Sequence, residues 1–306
     1  MSDIIIKASQ LCKRYKDILA VDKIDFEIHR GETFGFLGPN GAGKTTTMKM
    51  IYCFILPDSG LLEVDALDVV KYPRRVKQIL GVVHQEDSLD PDLTVKENLV
   101  TYARYFDIRK SVAGRHADEL IAMMSLSDKK ETVIEELSGG MKRRLMIIRG
   151  LINNPKILIL DEPTTGLDPQ ARHLVWQKLR TLKKSGITII LTTHYMEEAS
   201  QLCDRLVMMH QGKIISEGTP EAMVENLIGH EVIELIDPDQ ELLERLPGIV
   251  DGRGQTDMSG DKVYIYTDHA NTILAALSHY KPKGLIKRSA NLEDVFLKIS
   301  GRGLTE

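Results

Sequence analysis

A glycine-rich segment followed by a lysine and a threonine is the first part of the sequence that could do chemistry. It fits the pattern G-x-x-x-x-G-K-[ST] and consists of Gly38, Pro39, Asn40, Gly41, Ala42, Gly43, Lys44 and Thr45. Glycines let the backbone curl so that successive N–H groups point inward and form a nest for a phosphate at a helix start. Lys44 would add a positive charge, and Thr45, followed by Thr46, would offer its hydroxyl to Mg²⁺. The segment predicts nucleotide binding.

Two acidic residues follow an apolar run further along the chain. Ile157–Leu160 is predicted as a buried strand and leads directly into Asp161 and Glu162. Ligands of open parallel sheets bind beyond the carboxyl ends of the strands, so both carboxylates should emerge where the phosphates lie. We expect Asp161 to hold Mg²⁺ and Glu162 to polarise the attacking water as general base. An acidic pair after a strand can simply cap a helix, but the phosphate loop favours the catalytic interpretation.

A third group of small and polar residues precedes a helical pattern. Ser138, Gly139 and Gly140 stand before Met141–Ile152, whose apolar residues fall on one helix face. Small residues at a helix start expose N–H groups to an anion, and Ser138 adds a hydroxyl. One nucleotide does not need two such sites. His194 follows another apolar run, where it could contact a γ-phosphate.

The elements that must position these residues alternate between short apolar runs and amphipathic helical stretches. Continuous apolar runs of this length are typical of parallel strands covered by helices on both faces, which predicts an α/β fold. The runs are Thr33–Gly38, Ile157–Leu160, Ile187–Leu191 and Arg205–Met209. After about Leu227 the pattern changes to strand, helix, two strands, helix and strand. We therefore predict a nucleotide-binding domain over residues 1–227 and a small α+β domain of βαββαβ type over residues 228–306.

Charge and hydropathy exclude several classes of protein. Among 306 residues, 40 Lys and Arg face 44 Asp and Glu, which gives a formal net charge of −4 and a pI near 6.2. Nucleic-acid binders usually have a domain pI above about 9, so no nucleic-acid partner is expected. No apolar run approaches the ~20 residues of a membrane span, so we expect membrane contact only through a partner. The three cysteines lack metal-binding spacing.

Taken together and in this order, the motifs resemble those of the ATP-binding subunits of ABC transporters. The resemblance covers roughly residues 4 to 220, a mostly parallel sheet with a helical subdomain near residues 88–150. The matching motifs are the adenine-stacking aromatic Tyr15, the Walker A loop Gly38–Thr45, Gln85 of the Q-loop, the signature Leu137–Met141, Walker B at Ile157–Pro163, the D-loop Gly166–Asp168 and His194 of the H-loop.

The resemblance implies a set of roles and partners. ATP and Mg²⁺ would be bound, with Thr45, Gln85 and Asp161 at the metal and Lys44, Glu162 and His194 in catalysis. Two copies would form a homodimer with ATP at the interface, because in this family the signature of one cassette completes the nucleotide site of another. This would explain the second anion site at Ser138–Gly140, whose residues would join the nucleotide-binding set.

A narrower resemblance points to a subgroup. The segments LSGGMKRRL, LTTHYMEEA and NLEDVFLKISGR are similar to those of exporters of the drug, nodulation-factor and lipo-oligosaccharide type. Met141 stands where many family members have Gln, a position peripheral to the phosphates. The subgroup implies export through a separate transmembrane permease and a peripheral place on the cytoplasmic face of the inner membrane.

Three alternatives compete with this interpretation. A GTPase would carry Asn-Lys-x-Asp, but no Asn in the chain is followed by Lys. A non-transport ABC ATPase of DNA repair or translation would resemble tandem cassettes or carry a long insertion, whereas the segment from Lys44 to Ser138 has room for a helical subdomain only. A regulatory module that binds ATP without hydrolysis would not require Glu162 and His194.

Overall fold

The computed structural model describes residues 3–280 and 282–300. The chain divides into two compact units, Met1–Ile215 and Ser216–Glu306. No helix in the described part of the chain is long and apolar enough to cross a membrane.

The first unit is built on two sheets. Its strands in chain order are β1 (Ile4–Tyr15), β2 (Ile18–His29), β3 (Thr33–Leu37), β4 (Ser59–Val64), β5 (Leu67–Asp68), β6 (Leu80–Val83), β7 (Ile157–Asp161), β8 (Thr188–Thr193), β9 (Arg205–His210) and β10 (Lys213–Gly218), the last of which crosses the division between the units. The larger sheet has the order β10-β9-β3-β8-β7-β6 and is parallel from β6 to β9. The smaller sheet, β2-β1-β4-β5, is antiparallel. The predicted α/β class with a mostly parallel sheet core is confirmed.

Some helices of the first unit begin at a residue whose side chain caps them, and others begin without such a cap. They are α1 (Lys44–Ile51), α2 (Pro73–Gln78), α3 (Val95–Ala103), α4 (Lys110–Met123), α5 (Gly139–Arg149), α6 (Pro169–Lys184) and α7 (Met196–Leu202). Thr94 and Glu97 form a capping box at α3, and Asp168 caps α6 just before a proline. Helices α3, α4 and α5 pack on one another.

The second unit is a small antiparallel sheet with helices. Its elements are α8 (Pro220–Leu227), β11 (Glu231–Ile236), α9 (Gln240–Val250), β12 (Gly254–Ser259), β13 (Lys262–Thr267), α10 (Ala270–Leu277), β14 (Gly284–Ser289) and α11 (Leu292–Ser300). The strand order is β12-β13-β11-β14. Side chains that alternate along β11 and β13, Ile233, Leu235, Val263 and Ile265, form one core with α9 and α10.

The division between the units comes earlier than the boundary that we predicted after Leu227. Helix α8 packs against α11, and its Met223 is buried. The helix therefore belongs with the second unit, because its apolar face is covered there. Composition alone placed it with the first unit, since it directly continues the last strands of the large sheet.

Apolar side chains fill the space around the large sheet. Every residue of β3, β7 and β8 is buried, as expected for parallel strands covered on both faces. Phe36 meets Phe26 and Phe34 edge to face, with ring centroids 5.1 Å apart for Phe26–Phe36 and 5.3 Å for Phe34–Phe36. This rigid core fixes the carboxyl ends of the strands, where the polar residues begin.

Candidate nucleotide site

The glycine-rich loop joins strand β3 to helix α1, which begins at Lys44. Gly43 is the N-cap of this helix with a left-handed backbone (φ 103°), and a Cβ there would lie 2.4 Å from the carbonyl oxygen of Ala20. At Gly38 a Cβ would lie 2.2 Å from the carbonyl oxygen of Met209. Any side chain at these two positions is excluded, which explains why the loop needs glycine there.

An open pocket of about 520 Å³ lies over this loop. Its size falls in the range of small-molecule sites. It is lined by Ile18, Leu19, Ala20, Asn40, Gly41, Ala42, Gly43, Lys44, Thr45, Thr46, Gln85, Glu162 and Gln211. The structure thus brings most of the predicted nucleotide-binding residues to one cavity, although they come from three distant parts of the chain.

Lys44 holds its charge inside the loop. Its side chain is buried, and Nζ donates hydrogen bonds to the carbonyl oxygens of Gly38 (2.7 Å) and Pro39 (2.9 Å). Burial lowers the pKa of Lys44, and the nearby carboxylates of Glu162 and Asp161 oppose this shift. A poorly solvated ammonium group beside converging backbone N–H groups favours a bound anion.

Asp161 meets Thr45 at the carboxyl end of β7. The Thr45 hydroxyl donates to Asp161 Oδ1 at 3.2 Å, and the Thr192 hydroxyl of strand β8 donates to the same oxygen. Both Asp161 and Thr45 present oxygen, the ligand type that Mg²⁺ prefers. The pair would therefore suit a magnesium ion.

Glu162 is the most constrained side chain of the site. Its backbone is left-handed (φ 47°), a strained conformation for a residue other than glycine, and its amide donates to Thr192 Oγ1 at 3.0 Å. Its Oε2 accepts from Gln85 Nε2 at 3.3 Å and from the Thr165 hydroxyl at 3.0 Å. Its Oε1 lies 3.2 Å from His194 Nδ1. The carboxylate is thus buried, accepts hydrogen bonds from two side chains and has the His194 ring beside it.

His194 stands beside Glu162 without a hydrogen bond to it. Its Nδ1 is buried and has no hydrogen-bond partner, although the distance to the carboxylate is short. The ring packs against Tyr195, with centroids 4.1 Å apart. The imidazole therefore stands at the edge of the site with Nδ1 close to the Glu162 carboxylate.

The signature residues lie outside the pocket of their own chain. Ser138 is the N-cap of α5 and accepts a hydrogen bond from the Met141 amide at 3.3 Å. Ser138 and Gly139 are exposed, and Gly140 has room for little more than a hydrogen atom, since a Cβ would lie 3.0 Å from that of Ala171. None of the three lines the cavity over the glycine-rich loop.

Tyr15 lies at the end of β1, in the hairpin that borders the pocket. Its side chain is 43% exposed, and Lys13 Nζ lies 5.7 Å from the ring centroid. It is absent from the lining of the cavity, where the 70% exposed Ile18 takes a place instead. The structure therefore leaves adenine stacking by Tyr15 a prediction and offers Ile18 as a second apolar surface.

Several site residues were missed from the sequence, among them three polar ones. Thr192 and Thr165 contact the two carboxylates, and Gln211 lines the pocket. The sequence held a signal for Thr192, because Thr192 and Thr193 follow directly on an apolar run and end the strand with two hydroxyl groups. Gln211 carries no such signal, because it reaches the pocket only through the pairing of β9 with β3.

The fold and the site define an ATP-binding cassette. A parallel sheet carries a Walker A loop and an acidic pair at one edge, and the capped start of the signature helix lies outside the pocket. A family profile described as ABC transporter matches residues 21–165, and one described as the C-terminal domain of the nodulation factor export protein NodI matches residues 248–301.

Comparison with known proteins narrows this class. The chain is 46% identical over 307 aligned residues to the Nod factor export ATP-binding protein I of Burkholderia pseudomallei, with 100% of both chains covered. It is 43% identical to the protein of that name from Rhizobium etli, over 97% of this chain and 93% of the relative. The chain therefore belongs to the ABC transporter ATP-binding proteins and, within them, to the family of the Nod factor export ATP-binding proteins.

Solved structures agree with the fold. A dimeric ATP-binding cassette in a post-hydrolysis state, bound to ADP and phosphate, matches with a TM-score of 0.64 and 27% identity over 70% of this chain and 98% of that one. The CbiO1 subunit of an ABC transporter complex from Clostridium perfringens matches with a TM-score of 0.68 and 29% identity over 81% of this chain and 98% of that one. The chain is thus an ABC ATPase that binds ATP, and such subunits dimerise and work with membrane subunits.

Proposed function

We propose that this chain couples ATP hydrolysis to export of a lipo-oligosaccharide of the Nod-factor type through a separate transmembrane permease on the cytoplasmic face of the inner membrane. The observation that carries the cargo class is the end-to-end match to proteins named for Nod factor export, which includes the second unit. A non-transport ABC ATPase of DNA repair or translation is disfavoured, because the relatives that match over the whole of this chain are named for Nod factor export.

We assign the chemistry of the pocket as follows. Glu162 is the general base, since its buried carboxylate is fixed by Gln85 and Thr165 and would accept a proton from water. Lys44 and the loop amides would bind the β- and γ-phosphates. Thr45 and Asp161, with Gln85 beside them, would hold Mg²⁺, which neutralises charge on the phosphates when bound. His194 would contact the γ-phosphate from its place beside Glu162.

We further propose that a complete hydrolysis site needs two copies of the chain. Ser138–Gly140 form the start of a helix whose amides lie outside the pocket of their own chain. A helix start of this kind binds an anion. In a homodimer it would close over the γ-phosphate that the partner copy holds, and neither copy would hydrolyse ATP alone.

Mixing two variants tests this composite site. Glu162→Gln removes the base, and Ser138→Arg places a bulky side chain at the signature, so each protein alone should be nearly inactive. In a mixed dimer the Ser138→Arg chain supplies an intact base and the Glu162→Gln chain an intact signature. We therefore expect turnover in the mixture well above the sum of the two proteins. A mixture that is no more active than its components would reject the two-copy site.

The permease is expected to dock beside Gln85. Residues 87–93 form a loop that Asn98 braces, donating to the Asp90 carbonyl oxygen at 3.0 Å and accepting from the Asp90 amide at 2.9 Å. Next to this loop lies a pocket of about 510 Å³ lined partly by Tyr102 and the 80% exposed Tyr105. An aromatic groove beside a γ-phosphate contact suits a helix of a partner protein.

Cysteine crosslinking in membranes that contain both subunits tests the docking surface. Ser88→Cys and Asp90→Cys lie at the groove, and Met258→Cys on the second unit is a matched exposed control. We expect the first two to crosslink to the permease. Crosslinks from Met258→Cys alone would place the contact on the second unit instead.

A further inference from the structure

One buried arginine next to the site has no role in the chemistry described above. Arg143 lies on α5, the helix that Ser138 caps, and its side chain is 7% exposed. An arginine in the interior carries five N–H donors and cannot lose its charge, so each donor needs a partner. Burial lowers the pKa of Arg143, yet the group stays protonated at any physiological pH.

Part of its guanidinium holds the backbone after strand β7. Nη2 donates to the carbonyl oxygens of Asp161 (2.9 Å) and Glu162 (2.8 Å), and Nε donates to that of Pro163 (2.7 Å). Of these three residues, Glu162 is the one with the left-handed backbone. The arginine thus braces the strained peptide that aims the catalytic carboxylate.

The remaining donor of this group reaches the segment after strand β6. Nη1 donates to the carbonyl oxygens of His84 (2.7 Å) and Gln85 (3.4 Å). The Gln85 side chain in turn contacts the Glu162 carboxylate. One side chain of α5 therefore joins both segments that meet at the base, and it does so entirely through backbone carbonyl groups.

We propose that Arg143 is a positioning residue for hydrolysis, which ties the signature helix to the backbone of Glu162 and Gln85 in the same chain. The base is aligned only while α5 keeps its place, so a shift of the signature helix disturbs the base of its own chain. This inference rests on the proposed role of Glu162 as base. Arg143 acts only by holding the backbone in place, since its guanidinium donates to carbonyl oxygens and not to the carboxylate of Glu162.

The neighbouring Arg144 provides a matched control. It is also buried on α5, and its Nε donates within that helix to the carbonyl oxygen of Gly140 (3.4 Å). Its Nη1 donates to the carbonyl oxygens of Met124 (2.7 Å) and Ser125 (3.2 Å), at the end of α4. These residues do not line the nucleotide pocket. Arg144→Lys therefore removes a comparable buried guanidinium without disturbing the segments that carry the base.

The first experiment compares Arg143→Lys with Arg144→Lys in the full chain. Lysine keeps the charge but cannot span both segments. We expect Arg143→Lys to lower kcat ~10- to 100-fold, as misplacement by about 1 Å does, while ATP affinity stays within about twofold. Arg144→Lys should lose clearly less kcat, because it leaves the backbone of Glu162 and Gln85 held by Arg143. Equal loss of kcat in both variants, or a parallel loss of ATP affinity, would overturn the proposal.

A double-mutant cycle separates positioning from general damage. If Arg143 acts through Glu162, adding Arg143→Lys to Glu162→Gln should lower the residual turnover no further. A further loss as large as in the wild-type background would contradict the proposal. Should Arg143→Lys fail to fold, as judged by its melting curve, Arg143→Gln keeps two amide donors and enters the same cycle with the same expectations.

The mixed dimer decides in which chain Arg143 acts. Arg143→Lys in the Ser138→Arg chain, which supplies the base, should abolish most of the restored turnover. The same change in the Glu162→Gln chain should leave that turnover within about twofold, because its own base is already lost. The reverse pattern would overturn the inference. If the mixture of Ser138→Arg and Glu162→Gln restores no turnover even with Arg143 unchanged, the two-copy site is rejected. The double-mutant cycle in the single proteins then still tests Arg143.

Discussion

Arg143 in the first unit and Arg288 in the second both turn inward, yet they meet different acceptors. Arg143 donates to backbone carbonyl oxygens of two segments. Arg288 on β14 donates to carboxylates, reaching Glu234 Oε1 on β11 at 2.5 Å and both oxygens of the fully buried Asp294 on α11 at 2.6 and 2.7 Å. The hydrogen bonds to these acids raise the pKa of Arg288, Asp294 first.

The acceptors decide what each arginine controls. Carboxylates neutralise the charge of Arg288, so this cluster joins two strands and a helix into one stable unit. Carbonyl groups carry no net charge to pair with that of Arg143, but its hydrogen bonds fix the peptide planes that they belong to. A buried charge on carbonyls therefore positions backbone at a site, whereas a buried charge on carboxylates holds a fold together.

The largest expected effect concerns the side chain that the first arginine positions. Glu162→Gln keeps the shape but removes the basicity, so kcat should fall by ~10²–10⁴-fold, the usual contribution of a general base. ATP affinity should stay within about twofold. Measured turnover and nucleotide titration check this, with the exposed Glu119→Gln as control. Loss of ATP binding in Glu162→Gln would show that the carboxylate serves binding rather than catalysis.

The second effect concerns stability rather than turnover. Arg288→Met leaves Asp294 buried without its cation, so the second unit should lose ~3–5 kcal/mol of unfolding free energy. Hydrogen exchange at β11 and β14 would report this loss. Fluorescence of Trp176, the only tryptophan and part of the first unit, should keep its unfolding midpoint. A shift of both probes together would mean that the units unfold as one.

The third effect asks which apolar group of the β1–β2 hairpin meets the base of ATP. Stacking on an aromatic ring is worth ~1–3 kcal/mol, so Tyr15→Ala should weaken ATP binding by roughly 5- to 150-fold and Tyr15→Phe should not. Ile18→Ala is the matched variant, because Ile18 lines the pocket. If Ile18→Ala weakens binding and Tyr15→Ala does not, the stacking role assigned to Tyr15 is wrong.

The smallest effect contrasts a surface cluster with the buried one around Arg288. Asp65 pairs with Lys156 at 2.6 Å and with Arg30 at 2.5 Å, and the hydrogen bond from Lys156 chiefly lowers the pKa of Asp65. Asp65→Asn should cost no more than about 1 kcal/mol of unfolding free energy near neutral pH.

The sign of its pH dependence follows from the lowered pKa. The folded protein prefers the ionised carboxylate, so the contribution is complete above the unfolded pKa of about 3.9 and disappears as pH falls through the lower folded value. Wild type and Asp65→Asn should thus differ at pH 6 and converge in acid. Denaturant unfolding at several pH values measures this, and a difference that grows in acid would contradict it.

Local patterns predicted much of the fold but not the antiparallel sheet of the first unit. Strands β3, β7 and β8 were recognisable because each is a short run of apolar residues. Strands β1 and β2 were not, because their register shifts and Gln10 has a left-handed backbone (φ 50°), which breaks the alternation of apolar and polar residues. Bulges of this kind depend on the partner strand.

The sequence by itself determined the phosphate loop and the acidic pair. Each is a short continuous segment whose conformation follows from its own residues and from the strand directly before it. Only the tertiary structure decided which carbonyl oxygens Arg143 meets and that Ser138 lies outside the pocket of its own chain. The physical reason is that both depend on the strand order, which places β7 between β6 and β8. Contacts between segments far apart in sequence carry no local pattern, whereas a helix cap or a glycine turn does.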